Sequence, residues 1–263
     1  MSASFTMDSS LVAIILAAGQ GKRMGSDLPK VAHEVAGAPM VSWVARACRE
    51  AGCVRSIVVV GHRQEIVRRI FDEAEASMGE IEFVVQEDQR GTGHAVGCAA
   101  ASLSEFAGDV IVLAGDGPLV RPKALVDLVE RHRRERASAT LATVVVDDPA
   151  GYGRILRDSE GRFTGVVEDK NATPQERKIH EVNPSVYCFR AVDLFATLDR
   201  VPRNEASGEY YLTDVPALLK AQSKRIDAVN SLRPDEALSV NTLDQLKQVD
   251  QMLRSRLATA EGC

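Results

Sequence analysis

Residues 16–30 read L-A-A-G-Q-G-K-R-M-G-S-D-L-P-K, directly after an apolar run from Leu11 to Leu16. The stretch carries glycines at 19, 21 and 25 and cations at Lys22, Arg23 and Lys30. A strand that runs into a glycine-rich, cationic loop is a place to hold a polyphosphate. Glycine lets backbone N–H groups turn toward an anion, and cations neutralise charge that develops on phosphorus during transfer. Two common nucleotide loops are excluded. Gly21-Lys22 is followed by Arg23 without the spacing of a Walker loop. The third glycine comes one residue late for G-x-G-x-x-G, and no acidic residue stands at 37–40, about 20 positions on. The plainer reading is a surface turn with incidental charges.

Five further groups carry candidate chemistry. Gln86 opens Q-E-D-Q-R-G-T-G-H, residues 86–94; its amide offers donor and acceptor to a nucleobase edge, and Gly91-Thr92-Gly93 opens a helix whose N-terminus favours polar ligand groups. A capped helix explains the same residues, and His94 reads as structural rather than catalytic. Asp116 stands after an apolar run in a Gly-Pro turn, placed to hold a divalent metal against phosphates; turn or capping aspartates are the alternative. Gly151-Tyr152-Gly153-Arg154 suggests close backbone approach to a sugar ring, or a bulged strand. Glu168, with Asp169-Lys170 beside it, and Asn183 suit sugar hydroxyls and amides. Asn241 lies between two apolar segments, as a second metal ligand or as a helix cap.

These groups need elements to position them. Apolar, mostly β-branched runs at 11–16, 57–60, 81–85, 110–114 and 140–146 read as strands covered on both faces. Helical spacing fills the gaps: a helix from Pro39 to Gly52, then 64–76, 92–103 and 122–136. This alternation predicts a doubly wound, mostly parallel α/β sheet, which binds ligands beyond the C-terminal ends of its strands. The second half changes character, with strands expected at 151–155, 163–168, 182–190 and 226–229 and helices at 191–198 and 211–222. Residues 243–260 form an amphipathic helix that packs on the body or extends as an arm.

The chain has 263 residues, 45% of them apolar, and a formal net charge of −5. That length fits one large domain or two small ones, and the charge argues against general nucleic-acid binding. No stretch approaches the roughly 18 apolar residues of a membrane helix, and residues 1–10 lack the cations of a signal peptide. The five cysteines, 48, 53, 98, 188 and 263, are odd in number and fit no metal spacing. They read as reduced thiols of a cytoplasmic protein.

In order and spacing, L-A-A-G-Q-G-K-R-M, S-D-L-P-K, Q-x-x-x-x-G-T-G-H-A, G-D-x-P-L, D-P-x-G-Y-G-R-I, V-V-E-D-K, the Glu-Val-Asn of 181–183, G-E-Y-Y-L-T-D and V-N resemble the sugar-1-phosphate nucleotidyltransferases. Within that family the resemblance is to the N-terminal N-acetylglucosamine-1-phosphate uridylyltransferase domains of bifunctional bacterial enzymes, over residues 11 to about 245. It implies a Rossmann-like nucleotide-diphospho-sugar transferase fold and the transfer of a uridylyl group from UTP to N-acetylglucosamine-1-phosphate. It also implies roles. Ala18, Gly19, Gln86, Gly91 and Thr92 would hold the uracil. Arg23 and Lys30 would bind the triphosphate and stabilise the transition state, while Lys22 faces solvent. Asp116 and Asn241 would hold Mg2+, and Gly153, Glu168 and Asn183 the sugar phosphate.

The resemblance also divides the chain. A loose tail covers 1–10 and the transferase domain 11–242, with a nucleotide half to about 147, a β-rich sugar half from about 148, and the terminal helix at 243–263. The acetyltransferase half of the bifunctional enzymes, with its hexapeptide repeats, is not expected. Ala114 stands where the family has an aromatic, Pro184-Ser185 where it has Thr-Gly, and Gly117 where it has an apolar residue; the first two border the expected sugar pocket. Another sugar phosphate or nucleotide, and a regulatory domain that binds without turnover, are the alternatives. The latter predicts loss of Arg23, Lys30, Asp116 or Asn241, all of which are present.

Overall fold

A computed structural model describes residues 10–73 and 78–261, without the side chains of Lys22, Ala260 and Glu261. Residues 1–9 of the expected tail at 1–10, the end of the second helix at 74–76, the exposure of Lys22 and the state of Cys263 lie outside the described residues. The strands are β1 (Leu11–Leu16), β2 (Glu34–Val35), β3 (Ala38–Pro39), β4 (Arg55–Val60), β5 (Glu80–Val85), β6 (Asp109–Ala114), β7 (Ala139–Val145), β8 (Gly153–Arg157), β9 (Phe163–Val167), β10 (Glu181–Arg190) and β11 (Ile226–Asn230). The helices are α1 (Met40–Glu50), α2 (Gln64–Glu73), α3 (Thr92–Gly97), α4 (Pro122–Arg134), α5 (Ala191–Leu198), α6 (Val215–Ala221) and α7 (Leu243–Glu261).

The main sheet runs β11-β7-β10-β6-β1-β4-β5, with β8 and β9 added beside β10. β1 is parallel to both β4 and β6, and β10 is antiparallel to β6 and β7. The sheet is therefore mostly parallel and its fold Rossmann-like. Side chains alternate across β1. Leu11, Ala13 and Ile15 pack with α1, α2 and α4, while Val12 and Ile14 pack with α3, α5 and α6. Both faces are covered, which is why these strands read as continuous apolar runs.

The chain passes from β1 to β4 and β5 on one side and returns to β6 on the other. Neighbouring connections therefore leave β1 in opposite directions, and a crevice opens past the C-terminal ends of β1 and β6. Two features of the second half build its far wall. β10 has a bulge between Val182 and Val186, where Pro184 has no N–H for a ladder bond and Ser185 takes φ 61°. β8 pairs with β10 so that Gly153 faces Asn183.

Of the two placements open to the terminal helix, the structure shows the packed one. Val249 and Leu253 of α7 are buried with Met24, Val35, Met40 and Leu119, and Arg256 ties α7 to Asp235 and to Leu119 O. Other expectations shift. The helix expected over 92–103 ends at Gly97 and resumes only as a 3-10 turn at Ala101–Leu103. The segment 211–222 divides into a 3-10 turn and α6, and the strand expected from Gly151 begins at Gly153. Among the described residues no helix is long and apolar enough to cross a membrane, and Cys48, Cys53, Cys98 and Cys188 are free thiols.

Candidate active site

The loop after β1 is held by its own backbone. Gly21 has φ 63°, and a Cβ there would lie 2.8 Å from Lys30 Cβ, so a side chain would push the two ends of the loop apart. Short 3-10 turns at Lys22–Met24 and Lys30–Ala32 compact the segment. They bring Arg23 and Lys30 to the end of β6, where Gly115 N bonds Leu16 O at 2.9 Å.

Two cavities open at this edge. One, of about 300 Å³, is bounded by Ala18, Gly19, Gln86, Gly91 and Thr92 together with Lys30 and Glu209. The other, of about 330 Å³, is bounded by Arg23, Tyr152, Gly153, Glu168, Asn183 and Asn241. Ala114, Asp116 and Ser185 line both and form their common wall. The structure thus brings together every site residue singled out in the sequence, in two groups that meet at Asp116.

The charges at the junction are paired. Lys30 Nζ lies on Asp116 Oδ2 and donates to Asn241 Oδ1 at 3.1 Å. Arg23 Nη2 donates to the same Asn241 oxygen at 3.0 Å. Lys30 therefore rests on both oxygen-bearing side chains expected to hold metal, and Arg23 on Asn241 alone. Asp116 Oδ1 is buried and has no hydrogen-bond partner, so Asp116 is not the capping residue of the plainer reading. Among the described residues no cluster of three histidine, cysteine or acidic side chains forms a metal cage. One carboxylate and one amide oxygen still suit Mg2+, which takes few protein ligands and completes its shell with phosphates and water. The orphaned carboxylate oxygen fits that role.

Asn241 is freed for the site by its neighbours. Gln245 Oε1 accepts from the Asn241 and Thr242 N–H groups at 2.7 and 3.1 Å, and the Thr242 hydroxyl accepts from Gln245 N at 3.3 Å. The capping role falls to Thr242 and Gln245, and the side chain of Asn241 points to the junction.

Supporting side chains that sequence reading left unassigned hold the second cavity. Thr213 donates to Glu168 Oε1 at 2.9 Å. Asn183 Nδ2 donates to the Tyr187 hydroxyl at 2.6 Å, and Asn183 Oδ1 accepts from Ser185 N at 3.3 Å. Tyr187 is fully buried, and burial pushes its phenol well above the usual range, so it stays a neutral hydrogen-bonding group. Arg154 is 2% exposed and pairs with Asp169 at 2.9 Å, clamping the turn after Glu168 to the strand that begins at Gly153. In the first cavity, Gly91 has φ 96°, and a Cβ there would meet Tyr210 O at 2.5 Å. The Thr92 hydroxyl accepts from Leu212 N at 3.0 Å. Thr213 and Tyr210 lie in G-E-Y-Y-L-T-D, the signal that could have found them.

The chain is similar to known proteins in sequence and in fold. A bifunctional protein GlmU of Geobacter metallireducens is 44% identical over 247 residues, covering 94% of this chain and 51% of that protein. One from Streptococcus mutans is 41% identical over 245 residues, covering 93% and 52%. The chain spans about half the length of the curated relatives it matches. Among solved structures, UDP-glucose pyrophosphorylase complexed with UDP-glucose superposes with a TM-score of 0.77 at 15% identity, covering 94% of this chain and 99% of that one. Its apo form gives 0.76 at 17% identity, with the same coverage; at such identities the likeness is one of fold. Residues 13–210 match the MobA-like NTP transferase domain, and the chain belongs to that family.

Proposed function

We propose that this chain is a Mg2+-dependent uridylyltransferase that joins UTP and N-acetylglucosamine-1-phosphate to give UDP-N-acetylglucosamine and pyrophosphate. The observation that carries the reading is the pair of cavities that share Asp116 as their wall. A nucleotide in the first and a sugar phosphate in the second bring their phosphates to the same carboxylate and the same two cations.

The chemistry follows from what the chain supplies. A phosphate oxygen of the sugar-1-phosphate attacks the α-phosphorus of UTP, the bond to the β-phosphate oxygen breaks, and pyrophosphate leaves with the electron pair. The nucleophile is already an anion, so no strong general base is needed, and rate comes from alignment and charge stabilisation. Ala18, Gly19, Gln86, Gly91 and Thr92 hold the base. Gly153, Glu168 and Asn183 hold the sugar. Arg23 and Lys30 leave Asn241 and Asp116 for the phosphates. Asp116 and Asn241 hold Mg2+, which supplies further neutralisation of phosphate charge when bound. The same reading assigns the nucleotide half to about residue 147 and the sugar half from about 148 to 242.

Pyrophosphate release tests this with a matrix of nucleoside triphosphates and sugar-1-phosphates in Mg2+. Release greatest with UTP and N-acetylglucosamine-1-phosphate is expected. No release from any pair refutes the enzyme, and release with glucose-1-phosphate but not with the N-acetylated sugar refutes the substrate.

A further inference from the structure

Gln86 is 3% exposed, and its amide nitrogen is fully committed. Nε2 donates to Gly91 O at 3.1 Å and lies 2.9 Å from His94 Nδ1. A primary amide nitrogen carries two hydrogens and offers no lone pair. Turning the amide over would set its oxygen against the carbonyl of Gly91, so Nε2 stays where it is. His94 Nδ1 must then present its lone pair, and the neutral ring carries its proton on Nε2.

A second donor competes for the ring. Arg90 Nη2 lies 3.0 Å from His94 Nε2, and a neutral imidazole cannot accept at both nitrogens. Burial decides the contest. The side chain of Arg90 is 53% exposed and can turn to water, whereas Gln86 cannot. With both amide hydrogens used, the free polar atom of Gln86 is Oε1. No donor among the described residues is seen to reach it, and Gln86 lines the cavity beside Ala18, Gly91 and Thr92.

We infer that His94 is a positioning residue that locks Gln86 as an acceptor-only reader of the nucleobase and so sets the preference for uracil over cytosine. The inference rests on the proposed use of UTP. The one N–H on the ring edge of uracil is at N3, which pairs with an acceptor. Cytosine in the same pose turns a bare N3 lone pair toward Oε1. Burial first, and the charge of Arg90 second, hold His94 below the usual histidine range, which keeps the ring neutral and Nδ1 an acceptor.

The test compares His94→Leu, which removes the acceptor, with His94→Asn, whose Oδ1 restores one near Nδ1. Calorimetric binding of UTP and of CTP without sugar phosphate is measured for each, with kcat and KM alongside. In His94→Leu the amide is held by Gly91 O alone, so turning it to offer a hydrogen to cytosine N3 costs one hydrogen bond less. The preference for UTP over CTP is expected to fall about tenfold, the effect of one hydrogen bond, through KM rather than kcat. His94→Asn is expected to restore most of it. A His94→Leu variant that keeps the parent preference, or one that loses both nucleotides in equal proportion, overturns the inference. The nitrogen-15 shifts of the imidazole in the unaltered chain give an independent readout: the Nε2–H tautomer supports the inference and the Nδ1–H tautomer overturns it. A parent that binds neither nucleotide refutes the proposed function itself, an outcome seen before any variant is made.

Discussion

Lys30→Met separates the two tasks of Lys30. Its ammonium bridges Asp116 Oδ2 and Asn241 Oδ1, the oxygens proposed for Mg2+, and the two paired side chains are only 18% and 10% exposed. Methionine keeps the stem and removes the charge. Asp116 then faces a mostly buried site without its directly paired cation and with its Oδ1 already orphaned. Removing one partner of such a pair costs about 3 kcal/mol, the low end of the range for buried ion pairs because water still reaches this one. For a chain of this size that lowers Tm by roughly 6–10 °C. The same vacancy favours a cation. Mg2+ at about a hundred times its dissociation constant returns about 2.7 kcal/mol to a state that binds it, so the variant recovers most of its lost stability. The parent, in which the metal must first displace Lys30, gains less. Scanning calorimetry with and without Mg2+ measures both. A variant with the parent Tm, or an equal Mg2+ shift in both proteins, would refute the reasoning that Lys30 and the metal compete for the same oxygens.

Three other outcomes are expected. Asp116→Ala should lower turnover about a thousandfold with the circular-dichroism spectrum retained, and a rate within tenfold of the parent would remove the metal assignment. Thr213→Val, which deletes the 2.9 Å hydrogen bond to Glu168, should raise KM for the sugar phosphate roughly tenfold and leave UTP affinity unchanged; equal changes in both would place Thr213 in the general packing. Asp235 ties α7 to the body between Arg121 and Arg256, at 2.7 and 2.8 Å. Burial pushes its carboxyl up, but the hydrogen bonds and charges of the two arginines outweigh this and hold it below the usual aspartate range. The folded state therefore binds this proton less tightly than the unfolded one. The stabilisation is present above the ordinary carboxyl range and is lost as pH falls below about 4. Urea unfolding should show the parent more stable than Asp235→Asn at pH 7, with the difference shrinking in acid; a difference independent of pH contradicts the assignment.

What the sequence made legible follows from how local each signal is. β1 and α5 appear at the expected residues because an apolar run and a periodic apolar face each carry their own signal. The helix expected from Thr92 stops at Gly97 because its glycines weaken helix formation, and the segment is fixed instead from outside, by Gly93 N on Tyr210 O at 2.8 Å. The bulge at 183–185 left one trace, a proline inside a strand pattern. Its consequence, Ser185 on the wall of both cavities, depends on pairing with β7. The alternatives at Asn241 are separated by Thr242 and Gln245, which cap the helix and free the asparagine. The resting place of Lys30 was not legible, because its partner oxygen on Asn241 lies 211 residues away. The same holds for Thr213 and Glu168, which are brought together only by the tertiary fold.

The central claim is that the two cavities deliver both substrates to one phosphorus beside Asp116. The stereochemistry of transfer tests it most directly, with UTP made chiral at the α-phosphorus by a single sulfur and N-acetylglucosamine-1-phosphate as acceptor. Direct attack across the shared wall predicts inversion at that phosphorus in the UDP-sugar product. Retention would mean two displacements through a nucleotidyl group carried on the protein, which would contradict the account.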